Sequence, residues 1–227
     1  MLWMDECLFC HSFAYALSDG RVKCSKCLKK ISLAKINKLM LLIYVFVDNE
    51  SAWSLSQRTK LSYSSVQKYF HHFRILCAKI CENEYEYVRM QQCEYEEYYY
   101  LEHSKKHKKE AIFDAHNFLT FDYSQHIYTV LMPSLQQYKK QFLEDDVAGG
   151  FMNEFNSFKR KTRIIKVEKH FNNIVTFWEY FERSILKYKG IKNSSFIYFL
   201  KECEFKYNHT KEEAIELLLK HYLKDDK

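Results

Sequence analysis

The sequence predicts a helix-rich α+β chain in three parts: a small metal-stapled hairpin, a short helical bundle, and a larger domain with a mixed sheet and C-terminal helices. Three observations carry this expectation. Two Cys-x-x-Cys pairs, Cys7–Cys10 and Cys24–Cys27, flank a hairpin signal. Glycine is scarce and Pro133 is the single proline, which argues for helices and against a many-turned sandwich. Apolar residues recur at helical spacing on both sides of a tyrosine-rich stretch that reads as strand.

Thiolate pairs at this spacing grip one tetrahedral ion, usually zinc, from two facing turns. Between the pairs Phe13, Tyr15 and Leu17 alternate, Asp19-Gly20 supplies the turn and Val22 follows. Residues 1–31 therefore read as a zinc ribbon with Cys7, Cys10, Cys24 and Cys27 as ligands, a module too small to fold without its metal. Thirteen residues separate Cys10 from Cys24, slightly short for such sites, and the alternative is four ordinary reduced cysteines. His11 is read as a surface residue, because four thiolates already complete the tetrahedron. Cys77, Cys81, Cys93 and Cys203 are scattered and read as packing residues. The chain lacks a basic start followed by an apolar core, and the apolar run Leu39–Val47 is too short to span a bilayer. The expected setting is a reducing cytoplasm, with no membrane partner.

Residues 32–82 read as a helix-turn-helix. Ile36, Leu39, Met40, Leu42, Ile43 and Phe46 repeat at helical spacing, and Asp48-Asn49-Glu50-Ser51 breaks that helix and caps a second through Leu55. A turn at Lys60-Leu61-Ser62 precedes a longer helix with Val66, Phe70, Phe73 and Cys77 on one face, and Ser62 or Ser64 as its N-cap. Its other face offers Ser65, Gln67, Lys68, His71, His72 and Arg74, residue types that reach base edges or phosphates in a major groove. A generic helical bundle with a solvated face is the alternative. The net charge of +6 suits double-stranded DNA as partner without requiring it.

Residues 90–227 read as the third domain. Cys93–Leu101, Ala111–Tyr123 and Ile127–Met132 form an antiparallel meander, with the basic stretch Lys105–Lys109 as a solvated hairpin tip. Helices are expected at Leu135–Leu143 and Phe151–Arg160, a strand at Arg163–Val167, a long helix at Asn172–Tyr188, and two more at Ser194–Phe205 and Lys211–Leu223. Three antiparallel strands followed by alternating helix and strand is the order of a ribonuclease H-like domain. Such a fold brings acidic residues to two divalent ions.

The C-terminal part resembles the DDE-type transposases of bacterial insertion sequences, in the branch with an N-terminal zinc ribbon and a helix-turn-helix. Asn172-Asn173-Ile174-Val175-Thr176-Phe177-Trp178 is similar to that family's N-x-V/I-E-x-F-W pattern, Lys187-Tyr188-Lys189-Gly190-Ile191 to its k-y-x-G-i/v, and Tyr198–Asn208 to its Y-L-x-E-x-x-F-R-y-N. The resemblance implies a protein that binds the element's ends as a homodimer or larger assembly. It would cut and join DNA with two Mg²⁺ or Mn²⁺ ions.

Carried over residue by residue, the resemblance implies a catalytic set of Glu96, Asp146 and Asn172, with Glu179 two turns further along the same helix. The pattern is departed from at three places. Glu96 stands where aspartate is expected, Asp146 lacks the glycine that should follow it, and Val175 replaces an acid. Asp114 and Asp122 are rival ligands, and a solvated carboxylate or helix cap is the plainer role for each of these residues. Lys206 stands where the family prefers arginine, and could still contact a phosphate. Two other readings remain: a decayed transposase that only binds DNA, and a zinc-stabilised protein-interaction module.

Overall fold

The computed structural model of the protein describes residues 6–102, 111–140, 172–188 and 191–225. The chain divides into two compact units, Met1–Val88 with Tyr180–Lys227 and Arg89–Glu179.

In the first unit β1 (Ala14–Ala16), β2 (Arg21–Cys24) and β3 (Lys30–Ser32) form an antiparallel sheet in chain order. Gly20, at φ 76°, takes the left-handed turn position that glycine tolerates best. The alternation runs opposite to the one its aromatics suggest. Ala14, Val22 and Cys24 are buried, while Phe13 is 61% and Tyr15 38% exposed. The inner face is formed by small residues because it closes over four sulfurs.

Three helices follow: α1 (Leu33–Val47), α2 (Ala52–Arg58) and α3 (Tyr63–Val88). Ser51 caps α2 by accepting the Ser54 N–H at 3.0 Å, and Ser62 caps α3 by accepting the Ser65 N–H at 3.3 Å. The buried stripe of α3 (Val66, Phe70, Phe73, Leu76) packs on Leu42, Ile43 and Phe46 of α1. The Phe46 ring lies 5.3 Å from Phe70 and 5.4 Å from Phe73, edge to face.

Two more helices complete this core, α5 (Asn193–Asn208) and α6 (Lys211–Asp225). They follow α4 (Asn173–Ile185), within which the division between the units falls. The sequence placed α5 and α6 in a third domain running from 90 to 227. Instead Phe205, Ala214, Leu218 and Leu223 join the α1–α3 core, because each helix carries an apolar stripe that these two faces cover. α3 runs past 82, where the helix-turn-helix is expected to end. It stays helical to Val88, where Glu82 lies 3.5 Å from Lys201 and Glu84 2.8 Å from His209.

The second unit contains β4 (Glu94–Tyr100), β5 (His116–Tyr123) and β6 (His126–Leu131), an antiparallel meander in that order. Ser124 and Gln125 both have positive φ (52° and 78°), the geometry of a two-residue hairpin turn that matches the strand twist. The expected strand from Ala111 begins only at His116, because Ala111–Asp114 forms a 3₁₀ turn. Leu135–Tyr138, capped by Ser134, is a 3₁₀ turn, and Lys139 and Lys140 after it are α-helical. The first half of α4 lies on one sheet face. Trp178 donates its indole N–H to Thr120 Oγ1 at 2.9 Å and its ring lies 4.8 Å from Tyr98. The loop 105–109, the helix 151–160, the strand 163–167 and Asp146 lie outside the described residues, and with them the parallel part of the expected mixed sheet.

Candidate functional site: a four-cysteine centre and two polar clusters

Each Cys-x-x-Cys pair forms a tight turn that points backbone amides at its first sulfur. The Phe9 N–H reaches Cys7 Sγ at 3.4 Å, and those of Lys26 and Cys27 reach Cys24 Sγ at 3.3 Å each. The β1–β2 pairing, with Ala14 opposite Cys24, brings the two turns face to face. Cys7 Sγ then lies 3.7 Å from Cys27 Sγ and Cys10 Sγ 3.4 Å from Cys24 Sγ, with all four sulfurs within 4.8 Å of one another. A tetrahedral zinc–thiolate site with bonds of about 2.3 Å has sulfur–sulfur edges of about 3.8 Å. The donor set and its size therefore fit Zn²⁺. Burial pushes the Cys7 thiol up to about 12, whereas the backbone and hydroxyl of Ser12 bring Cys10 down to about 6. A metal must displace the Cys7 proton, so loading is coupled to pH.

His11 (φ 56°) and Leu28 (φ 60°) each follow the second cysteine of a pair and adopt the left-handed conformation that non-glycine residues avoid. The two turns thus end in the same strained geometry. The His11 ring faces Glu6 at 3.0 Å and is exposed, as its surface assignment expected. Among the described residues these four cysteines are the one group of three or more Cys, His, Asp or Glu side chains close enough to hold an ion.

Along α3 the expected DNA-facing residues separate into two sets. Gln67, Lys68 and His71 are exposed, and Ser65 is half-buried in the capping turn. Gln67 Nε2 donates to the Tyr63 hydroxyl at 2.6 Å. His71 lies 5.5 Å from the ring of Tyr198, and the half-buried His72 lies 5.2 Å from that of Tyr222. Arg74 is not on this surface. It is 8% exposed, its Nε is 2.6 Å from Glu202 Oε2, and its guanidinium sits 4.0 Å over the Phe199 ring. The exposed face turns inward within about one turn of His71, because α5 lies against α3 at Arg74.

Glu202 is the centre of a buried network that sequence reasoning missed. Besides Arg74, it accepts Lys206 Nζ at 2.5 Å and the Tyr188 hydroxyl at 3.2 Å. Burial alone would raise its carboxyl, but Lys206 and Arg74 hold it below the usual range. Lys206 also donates to Phe46 O at 2.6 Å and Asn49 Oδ1 at 3.1 Å, and its side chain is 4% exposed. The phosphate contact expected of Lys206 is therefore replaced by a link that ties α5 to the C-terminal end of α1. The signal that could have found this network is the spacing of Glu202 and Lys206, one helical turn apart.

In the second unit the structure brings together two residues of the expected catalytic set. Glu96 is half-buried on β4, opposite Thr120, on the face that α4 covers. Asn172 precedes α4 and caps it, its Oδ1 accepting the Val175 N–H at 2.9 Å. Its Nδ2 donates to Glu96 Oε1 at 2.9 Å. Glu179 is exposed and lies about 10 Å further along the helix axis. Asp114 accepts Gln136 Nε2 at 2.7 Å and Asp122 accepts the Gln125 N–H at 2.8 Å, so each stabilises local structure. Divalent magnesium requires oxygen donors. Asn172 offers Glu96 its nitrogen while its oxygen caps α4, so this pair as arranged does not fit a magnesium site.

A search of curated proteins finds an uncharacterized transposase-like protein of Haemophilus influenzae, 26% identical over 117 residues that cover 43% of this chain and 94% of that protein. No protein-family model matches the chain, and no solved structure does.

Proposed function

We propose that this is a transposase-type protein that binds DNA ends through its N-terminal unit and carries its phosphoryl-transfer site in the strand unit. The transposase-like relative supports the type. The observation that supports the site is the proximity of Glu96 and Asn172, two motif residues 76 positions apart in sequence. On this reading α2 and α3 work as a helix-turn-helix across the turn at 59–62, with Gln67, Lys68 and His71 presented to a duplex major groove. The zinc ribbon fixes the entry to α1. Asp146 is the further acid, and the Asn172 side chain must rotate before its oxygen can serve a metal. Pairing two ends calls for a homodimer or larger assembly.

A second reading has its own observation. Asn172 acts as a helix cap that donates to Glu96, and the described residues hold no acidic cluster beside it. That arrangement suits a transposase relative that binds DNA without cutting it.

Duplex titration across ionic strength tests the binding. The affinity should fall linearly on a log–log plot, and Lys68→Gln should lower the slope by about one. Strand-transfer assays on a cognate end in Mg²⁺ or Mn²⁺ test the chemistry. Glu96→Gln and Asp146→Ala should abolish transfer and leave binding intact. Transfer that survives both substitutions would refute the site, and binding without any wild-type transfer would establish the second reading.

A further inference from the structure

The outer face of the ribbon sheet differs in chemistry from its inner face. The strand register sets Tyr15 opposite Lys23 and Lys23 opposite Lys30, so one row crosses all three strands as aromatic, cation, cation. Phe13 lies two residues before Tyr15 on the same side, and the two rings are 61% and 38% exposed. Arg21 shares this face but is held by Asp19, with its Nε 2.7 Å from Oδ2. The Asp19 charge also acts on Lys30. The ribbon's own core, Ala14, Val22 and the cysteines, lies on the opposite side and makes no use of either ring.

We propose that this face is a platform for an unpaired DNA strand, with Phe13 and Tyr15 stacking on bases and Lys23 and Lys30 neutralising phosphates. A duplex hides its base faces within its own stack. An unpaired strand exposes them, and any base can then lie on an aromatic ring whatever the sequence. The interleaved lysines supply the charge complementarity that such a strand needs and that a purely apolar protein contact would lack. The inference rests on the reading of the chain as DNA-binding, but it assigns a different surface and a different form of DNA from those assigned to α3.

The test uses the full, zinc-loaded chain with labelled oligothymidine and a duplex of equal length. Phe13→Ala with Tyr15→Ala should weaken oligothymidine binding by about tenfold or more and leave duplex binding nearly unchanged. Tyr15→Phe should retain the affinity. Lys23→Gln with Lys30→Gln should lower the salt slope on oligothymidine by about 1.4, from two phosphates at about 0.7 each. Zinc stoichiometry and the thermal midpoint, unchanged in each variant, show that the ribbon is still folded.

Wild-type binding to the duplex but not to oligothymidine would overturn the platform and leave the α3 reading standing. Binding to neither would overturn both. Equal losses on both DNA forms, or no loss in either double variant, would overturn the platform. So would loss of self-association with DNA affinity retained, which would assign the face to protein contact.

Discussion

Glu202 in the first unit and Glu96 in the second are both carboxylates drawn from motif-like stretches, yet the molecule treats them in opposite ways. Glu202 is 2% exposed and accepts from a guanidinium, an ammonium and a phenol. Glu96 is half-buried and takes one amide hydrogen bond from Asn172. A buried charge with its partners in place is committed to architecture, because removing any one of them leaves a charge stranded in low dielectric. A half-exposed carboxylate with a single neutral partner can still accept another ligand. The stretch Tyr198–Asn208, where the resemblance to transposases is most specific, therefore reports how α5 is fixed to α1 and α3. On the proposed function, the looser match around Glu96 is where chemistry would reside.

The largest effect tests what anchors the first unit. Cys24→Ser should abolish stoichiometric zinc and remove the amide-exchange protection of β1–β3, since structural zinc sites contribute about 10–16 kcal/mol of binding free energy. A ribbon that stays protected without metal would show that packing alone holds it.

Next is the Glu202 network. Glu202→Ala should lower unfolding stability by about 3–5 kcal/mol in urea titrations, because Arg74 and Lys206 are left buried and uncompensated. The matching change in the other unit is smaller. Asn172→Ala should cost about 1 kcal/mol through the lost helix cap, and Glu96→Gln should be close to neutral. A cost for Glu96→Gln as large as that for Glu202→Ala would erase the distinction between the two sites.

The smallest effect is a pH dependence. His209 donates from Nδ1 to Phe205 O and from Nε2 to Glu84 Oε1, each at 2.8 Å, so both ring nitrogens carry protons. Burial disfavours that charge, but the Glu84 carboxylate and the Phe205 carbonyl outweigh it and raise the His209 pKa above its ordinary value, with Glu213 adding to the effect. A raised histidine contributes stability that is complete below its unfolded pKa of about 6.5 and is lost as pH rises through the folded value. The thermal midpoint should therefore drift down above neutral pH, and His209→Gln should flatten that drift. A wild-type midpoint that rises over the same range would contradict the assignment.

Much of the local structure was readable because it depends on neighbours in the chain. Cysteine spacing located the four-cysteine cluster, helical periodicity located α1 to α3, and tyrosine-rich alternation located the meander. The errors arose where a residue's surroundings come from elsewhere. Phe13 and Tyr15 alternate as a hairpin strand requires, but the inner side of the sheet, which closes over sulfur, is taken by Ala14, Val22 and Cys24 instead. Arg74 and Lys206 have the composition of DNA contacts, and only the arrival of Glu202 between them reveals their buried role.

By itself the sequence determined the four-cysteine cluster and the order of the helices and the meander. These follow from covalent spacing and from the fixed periods of helix and strand. The tertiary structure decided that α5 and α6 belong with the N-terminal helices, that Arg74 is sealed 128 residues from its partner in sequence, and that Asn172 meets Glu96. These outcomes depend on which apolar faces cover one another and which charges can be satisfied once buried. That is a property of the whole packed unit, which no local window of sequence contains.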